Sequence, residues 1–497
     1  MICIPLGDCI MQGLLKNLRR AAKAVDIIEI RADSIKGFSL PLLLRQKTNK
    51  PLIFTCYAKS NGGYFGGTET ERIKLLSEAI SSGMFEYVTL DIPESLKISE
   101  TVKTLINLGR RCKTKTILTY HNYRRTPDNL EAIYKRMAAY KPDVIKIVTY
   151  ARKFSDNFRI FKLAQGVASR RNSKLIAFGM GERGIISRIL YKKFGLFLTY
   201  ASYKTGLETA EGQIPFEYMK YLYQADCINR RTKIFGLLGN PVKHSYSPLL
   251  FNAWFSGGKF NAVYLPLAID PGYFRKDLAL IKSFLKPTGF SVTSPYKVVA
   301  IKSVDRLSKS AKEIGAINTI YRSDAHRVRS APYPKASGRK GNEFIGTNTD
   351  WIGVIEALLP LRKLINNRHA FILGKGGASR AIIYALRHSG IKTTVFARTA
   401  SKGVLPMKHL PRYCRGLGRD KIIINATPVG MFPDINKSPM PKSCLKRGMI
   451  VFDTIYNPAE TRLIKDAQGK GCFAINGLRM FLAQALKQME YFTRNVR

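Results

Sequence analysis

At 497 residues the chain is too long for one hydrophobic core, so two or three domains are expected. Its composition, 45% hydrophobic and 23% charged, is that of ordinary globular protein. No run approaches the roughly 20 apolar residues a membrane helix needs, and the opening Met1-Ile2-Cys3-Ile4-Pro5-Leu6 reads as a strand, not a signal peptide. The 82 basic and 34 acidic residues give a net charge of +48; without a zinc-finger, RRM or basic-zipper pattern, this reads as a solvated basic surface rather than a nucleic-acid footprint.

In the first half, apolar β-type runs fall at 1–6, 26–30, 51–56, 86–91, 115–120, 143–148, 174–178 and 196–200. Amphipathic stretches such as 69–82, 97–110, 126–140 and 155–170 separate them. Eight strand–helix repeats in a domain of residues 1–223 predict a (β/α)8 TIM barrel, with chemistry at the carboxyl ends of the strands. Glu29, Arg31, His121, Lys146, Arg188 and Gln213 are expected at those ends. Lys146 sits in the apolar run Val144-Ile145-Lys146-Ile147-Val148, facing inward or outward by alternation. Desolvation there would leave a neutral amine, able to attack a ketone and form an imine. His121 closes the preceding strand as a candidate general base. Taken singly, Lys146 reads as a surface lysine and His121 as a core histidine; their joint setting points to lysine imine chemistry.

These segments resemble the type I 3-dehydroquinate dehydratase family. The likeness is carried by Glu29-Ile30-Arg31-Ala32-Asp33, Thr119-Tyr120-His121-Asn122-Tyr123 with Thr126-Pro127, Asp143-Val144-Ile145-Lys146-Ile147, Met180-Gly181 through Ser187-Arg188, and Glu211-Gly212-Gln213. It implies a Schiff base on Lys146 and proton transfer by His121. It also implies a substrate carboxylate on Arg188, with Glu29, Arg31, Thr209 and Gln213 lining or closing the pocket. Two positions depart. Tyr57 stands where the family usually has arginine, and Asn61 stands where a glutamate helps orient the histidine. Asn61 is expected to accept a hydrogen bond but brings no charge.

Residues 224–233 are short and polar, a linker. A strand starts at Ile234, and Gly239-Asn240-Pro241-Val242-Lys243-His244-Ser245-Tyr246-Ser247-Pro248 leads into a helix. Two hydroxyls at alternate positions, Ser245 and Ser247, suit one carboxylate at a helix start. Ser291-Val292-Thr293-Ser294-Pro295-Tyr296-Lys297, Gly315-Ala316-Ile317-Asn318-Thr319, Asn348-Thr349-Asp350, Ile455-Tyr456-Asn457-Pro458 and Asn476-Gly477-Leu478 through Gln484 follow in order. Together they resemble shikimate dehydrogenases. The resemblance implies Lys297 and Asp350 as the catalytic pair, and Ser245, Ser247, Thr293, Asn318, Tyr456 and Gln484 as substrate contacts. Ser291 replaces the family's usual asparagine.

Phe371-Ile372-Leu373 reads as a strand, 374–380 as a glycine-rich turn and 378–389 as a helix, the setting for a dinucleotide pyrophosphate on Gly374, Gly376, Gly377 and Ala378. Ser379 holds the third-glycine position. The strand 392–397 ends in Arg398-Thr399 rather than in an acidic residue, which suits the 2′-phosphate of NADP; Ala397 replaces the family's usual asparagine. Thr427, in Asn425-Ala426-Thr427-Pro428-Val429-Gly430, and Gly477 complete the expected cofactor set. Residues 322–342, rich in Arg, Ser, Pro and Lys, read as a hairpin tip.

The expected organisation is therefore a barrel over 1–223, a substrate-binding domain over 233–358 joined by a C-terminal helix at 477–497, and a Rossmann-like NADP domain over 359–476. The expected enzyme dehydrates 3-dehydroquinate to 3-dehydroshikimate, then reduces that to shikimate with NADPH. The alternatives are a quinate/shikimate dehydrogenase with an impaired dehydratase half, or a basic nucleic-acid-binding protein on an enzyme scaffold. Cys3, Cys9, Cys56, Cys112, Cys227, Cys414, Cys444 and Cys472 form no CxxC pair and no metal spacing, so free buried thiols, no metal and a cytoplasmic location are expected.

Overall fold

The computed structural model describes residues 1–7, 9–96, 99–169, 173–323, 343–366, 368–415 and 421–493. The expected hairpin tip therefore lies almost wholly outside the described residues. The chain divides into two compact units: Met1–Thr232 with Asn261–Val263 and Lys276–Leu285, and Lys233–Phe260 with Tyr264–Arg275 and Lys286–Arg497.

The first unit holds eight strands: β1 (Ile2–Leu6), β2 (Ile27–Arg31), β3 (Leu52–Thr55), β4 (Tyr87–Ile92), β5 (Lys115–Asn122), β6 (Val144–Tyr150), β7 (Leu175–Met180) and β8 (Thr199–Tyr200). They run parallel in the order β7-β6-β5-β4-β3-β2-β1-β8. The sheet curls almost into a closed barrel, because the Phe197 amide ahead of β8 donates to the Leu175 carbonyl of β7 at 2.8 Å. One residue of nearly every strand meets in an enclosed core, among them Cys3, Ile27, Ile53, Tyr87, Ile117, Val144 and Ile176. Side chains alternate along a strand, so Glu29, Thr55, Thr89, Thr119, Lys146 and Phe178, two residues on, form the next interior layer.

This settles the facing of Lys146, which shares the interior side with Val144 and Val148. It also corrects the expected strand ends. Glu29 lies two residues and Lys146 four residues before the end of its strand, since pairing extends β6 to Tyr150, past the apolar run. The eighth strand is reduced to Thr199–Tyr200. The four expected helical stretches fold as Glu69–Ser81, Glu100–Cys112, Leu130–Ala138 and Asp156–Ala168, the third shorter than the run at 126–140 suggested. The first starts at Glu69 because Thr68 and Glu71 form a reciprocal capping box.

The second unit carries two six-stranded sheets. The first comprises β9 (Lys233–Gly239), β10 (Ala262–Ala268), β11 (Gly289–Val292), β12 (Arg306–Leu307), β13 (Thr319–Arg322) and β14 (Phe344–Thr347), in the order β10-β9-β11-β13-β14-β12. The second comprises β15 (His369–Leu373), β16 (Lys392–Ala397), β17 (Val404–Pro406), β18 (Lys421–Asn425), β19 (Ile450–Asp453) and β20 (Phe473–Ile475). All its pairs are parallel and its order is β17-β16-β15-β18-β19-β20. That is the doubly wound order, with its switch point between β15 and β18. Alternation feeds both faces: Ala370 and Ile372 enter one core, Phe371 and Leu373 the other. The helix after β15 spans Gly377–His388 and the last helix Leu478–Thr493.

All eight cysteines are free, but only Cys3, Cys56, Cys414 and Cys444 are buried. Cys227 is exposed and Cys9, Cys112 and Cys472 are half-buried, which corrects the expectation that all would be core thiols.

Candidate active sites

In the barrel, Lys146 Nζ lies 3.4 Å from Glu29 Oε1, 3.1 Å from Tyr57 Oη and 4.0 Å from the centre of the Tyr200 ring. Glu29 Oε1 also accepts from Thr55 at 2.9 Å and from Tyr200 at 3.2 Å. Desolvation holds the Lys146 amine below its ordinary value, although Glu29 opposes it. His121, near the end of β5, is pushed well below 6.5 by burial and by the cations of Lys146 and Arg31. Its imidazole is therefore a neutral base at pH 7. The ring meets Tyr57 edge-on at 5.1 Å and stacks on Tyr123 at 5.4 Å.

The two arginines differ sharply. Arg31 is spent on Asp33 through two hydrogen bonds of 2.9 and 2.8 Å. Arg188 is fully buried, and among the described residues none of its three nitrogens has a hydrogen-bond partner. Its guanidinium rests 4.1 Å over the Phe178 ring, and Phe178 in turn packs on Tyr200. Burial pulls it down to about 9. A buried cation without a partner is costly, so a group built this way suits an anionic ligand. Thr209 and Gln213 bond to each other, at 2.8 Å from the Thr209 amide to Gln213 Oε1. Their segment reaches β7 through the Gly181 amide on the Glu211 carbonyl at 3.1 Å. Among the described residues neither side chain hydrogen-bonds to the lysine cluster. Among the described residues Asn61 has no hydrogen bond to His121; its side-chain amide donates to Asp91 at 2.7 Å.

In the second unit, Lys297 Nζ donates to Asp350 Oδ2 at 2.5 Å. Asn318 Nδ2 reaches Asp350 Oδ1 at 2.8 Å and Gln484 Oε1 at 3.1 Å, so the last helix brings Gln484 to this cluster. Ser245 and Ser247 stand 3.2 Å apart through their hydroxyls, and Ser245 meets Tyr456 at 3.3 Å. Thr293 follows β11, its amide bonded to Leu238 of β9 at 2.9 Å. Ser291 donates to Gln488 at 2.7 Å. Tyr264 is fully buried beside Ser291 and Ser247.

The glycine loop adjoins this pair. A Cβ on Gly377 would meet the Lys297 Cβ at 2.6 Å, so only glycine lets the loop lie on the lysine stem. Gly374, at φ +114°, would carry a Cβ 2.9 Å from the Ala426 carbonyl oxygen, whereas a Cβ on Gly376 meets nothing within 4 Å. No side chain caps the helix at Gly377, which leaves its first amides available to a phosphate at the positive helix end. Ala378 lies in that first turn, and the buried Ser379 hydroxyl has no partner. Arg398 and Thr399 are exposed at the end of β16, and Arg398 forms no ion pair among the described residues. Lys375 joins them, donating to the Thr399 carbonyl at 3.1 Å. These residues fit a dinucleotide with a 2′-phosphate. Thr427 instead turns inward, donating to Asn425 at 2.7 Å. Gly477 packs tightly on the Thr454 backbone, where a Cβ would come within 2.1 Å.

Comparison with known proteins bears on both halves. Residues 2–230 match the family of type I 3-dehydroquinase, and residues 237–320 match the substrate binding domain of shikimate dehydrogenase. The chain is 31% identical over 529 residues to the bifunctional 3-dehydroquinate dehydratase/shikimate dehydrogenase, chloroplastic, of Arabidopsis thaliana, covering 99% of this chain and 82% of that one. The chain belongs to the bifunctional 3-dehydroquinate dehydratase/shikimate dehydrogenase family. This bifunctional enzyme is thus a lyase and an NADP-dependent oxidoreductase of the shikimate pathway. Its second half is 35% identical over 271 residues to the shikimate dehydrogenase (NADP(+)) of Caldanaerobacter subterraneus subsp. tengcongensis, covering 52% of this chain and 90% of that one. A solved structure of dehydroquinate dehydratase and shikimate dehydrogenase from S. pombe AroM aligns at 25% identity and a TM-score of 0.39, over 99% of this chain and 95% of that one.

For the bifunctional enzyme, sequence reading missed Tyr200, Asp33, Lys375 and Tyr264. Tyr200 had a signal: an aromatic hydroxyl closing an otherwise apolar strand. Asp33 and Lys375 lay inside motifs, but nothing local marked their partners Arg31 and Thr399, and Tyr264 lay outside any motif.

Proposed function

We propose that Lys146 is the imine-forming nucleophile of the dehydratase. The observation carrying this is a buried amine, on the barrel interior, beside a neutral imidazole and an unpartnered guanidinium. Arg188 holds the substrate carboxylate and Lys146 adds to the ring ketone. His121 takes the proton from the adjacent carbon, and the iminium accepts the electron pair that this releases. His121 then returns a proton to the departing hydroxyl, and water leaves. Glu29 anchors the amine, Arg31 and Asp33 form the rim, and Thr209 and Gln213 belong to the closing segment. Borohydride reduction in the presence of 3-dehydroquinate should add the ligand's mass to the peptide containing Lys146. Turnover with Lys146 unmodified would reject the assignment.

In the dehydrogenase half, Ser245 and Ser247 hold the carboxylate, with Tyr456 and Thr293 beside them. Asn318, Asp350 and Gln484 take the ring hydroxyls. NADPH supplies hydride to the ketone carbon. Lys297 delivers the proton to the ketone oxygen, and Asp350 fixes the ammonium for that delivery. Gly374, Gly376, Gly377 and Ala378 cradle the pyrophosphate, Arg398 and Thr399 the 2′-phosphate, and Thr427 and Gly477 line the loops beside the nicotinamide. We divide the chain into 1–223, 233–358 with the helix at 477–497, and 359–476, on the separate sheets of the second unit. We place the enzyme in the cytoplasm, which suits eight free thiols; among the described residues no helix is long and apolar enough to cross a membrane.

A further inference from the structure

Three hydroxyls stand around Lys146 and its neighbour Glu29, those of Thr55, Tyr57 and Tyr200. The Tyr200 hydroxyl donates to Glu29 Oε1 at 3.2 Å, and the Thr55 hydroxyl has Thr89 Oγ1 at 2.8 Å and Glu29 Oε1 at 2.9 Å as acceptors. The Tyr57 hydroxyl accepts from Lys146 Nζ at 3.1 Å and donates to no protein atom among the described residues. Its proton is unspent, and its oxygen sits beside the nitrogen that would bond to the substrate. Tyr57 is buried, with the Arg31 guanidinium 4.7 Å over its ring and the His121 imidazole edge-on. Those contacts fix the ring, so the hydroxyl stays at Lys146. Burial also raises the phenol well above 10, which keeps it protonated at neutral pH.

We propose that Tyr57 is the general acid of imine formation and hydrolysis at Lys146. The inference rests on the assignment of Lys146 as nucleophile. Imine formation has two steps that need proton traffic at this spot. In the first, the amine nitrogen bonds to the ketone carbon and the C=O π pair moves to oxygen. Tyr57 gives its proton to that oxygen and takes one from the nitrogen, leaving a neutral carbinolamine. In the second, Tyr57 protonates the carbinolamine hydroxyl and the C–O bond breaks with its electron pair. Water leaves, and the nitrogen lone pair forms the C=N bond. The product is an iminium beside a phenolate, which regains its proton from solvent. That is the single proton gained when a neutral amine becomes an iminium. Hydrolysis of the product imine runs the same steps backwards. An arginine, usual in the family at this place, has no readily dissociable proton for such a relay.

Rapid-quench borohydride trapping of the full chain with 3-dehydroquinate tests this. In Tyr57→Phe, the rate of trapping at Lys146 should fall by about 10²-fold or more, while the final extent of labelling stays complete. The lost rate should return in proportion to added buffer acid. A structural loss of packing would not respond to buffer. Unchanged trapping in Tyr57→Phe, or slow trapping indifferent to buffer acid, would overturn the proposal. Absence of label on Lys146 in the unmodified enzyme would instead overturn the nucleophile assignment. If Tyr57→Phe does not fold, the unmodified enzyme decides: trapping should slow in deuterated water, and equal rates in the two solvents would overturn the proposal.

Discussion

Arg188→Met should stabilise the barrel while weakening its substrate binding. Burial pulls the guanidinium well below its ordinary value, down to about 9. At about 1.4 kcal/mol per pH unit, that is a charging penalty on the order of 5 kcal/mol. The stacking on Phe178 offsets about 2 kcal/mol of it, and imperfect filling of the space by methionine removes about 1 kcal/mol more. A net gain of about 2 kcal/mol remains, or roughly 4–8 °C in Tm for a unit of this size. The sign follows from the depressed value. Below about 9 the folded protein carries the whole penalty, and it fades only as pH rises from there towards the ordinary arginine value. Binding moves the opposite way. Losing one partner of a buried charge pair costs about 2–5 kcal/mol, so KM for 3-dehydroquinate should rise by roughly 30-fold or more. Scanning calorimetry at pH 7.5 and initial-rate kinetics on the same preparations measure both. A lower Tm together with an unchanged KM would refute the reasoning, because it would make Arg188 a structural cation.

Lys297→Ala should lower the dehydrogenase kcat by about 10²–10⁴-fold with KM for 3-dehydroshikimate little changed, since proton delivery belongs to the transition state. An effect confined to KM would reassign the lysine to binding. Arg398→Ala should erase most of the preference for NADPH over NADH, an effect of about 1.5–3 kcal/mol or roughly 10- to 150-fold, read from paired KM values. Lys375 beside Thr399 should keep a remnant of that preference, and a preference unaltered by Arg398→Ala would remove the arginine from the site. The dehydratase needs a neutral Lys146, so its kcat/KM should fall as pH drops through the amine's lowered value. Glu29 opposes that lowering. In Glu29→Gln the acid limb should therefore move to lower pH, and a move to higher pH in the rate profile would contradict the electrostatics.

The barrel was legible because its eight strands are apolar runs at short, regular intervals, and the dinucleotide domain because Phe371-Ile372-Leu373 runs straight into glycines. Strand ends were not legible. Thr149 and Tyr150 extend β6 through pairing with β7, and nothing local marks polar residues as paired. The lysine, histidine and arginine of the first site were readable from motifs. Which arginine is free was not, since Arg31 is neutralised by Asp33 and Arg188 lies over Phe178 with no hydrogen bond among the described residues. Asn61 was read as a weakened glutamate aimed at His121. It faces Asp91 instead, a residue in β4 that no motif singled out. Gly477 was read as a cofactor residue by resemblance, and its closest neighbour is the Thr454 backbone.

One chain performs two consecutive reactions, the product of the first serving the second. The direct measurement is a coupled assay in which the purified chain receives 3-dehydroquinate and NADPH, with products identified by mass. Shikimate should accumulate with one NADPH oxidised per molecule, after a lag in which 3-dehydroshikimate rises and falls. NADPH consumed with 3-dehydroquinate unchanged in its degree of hydration, or 3-dehydroshikimate accumulating without oxidation of NADPH, would contradict the claim.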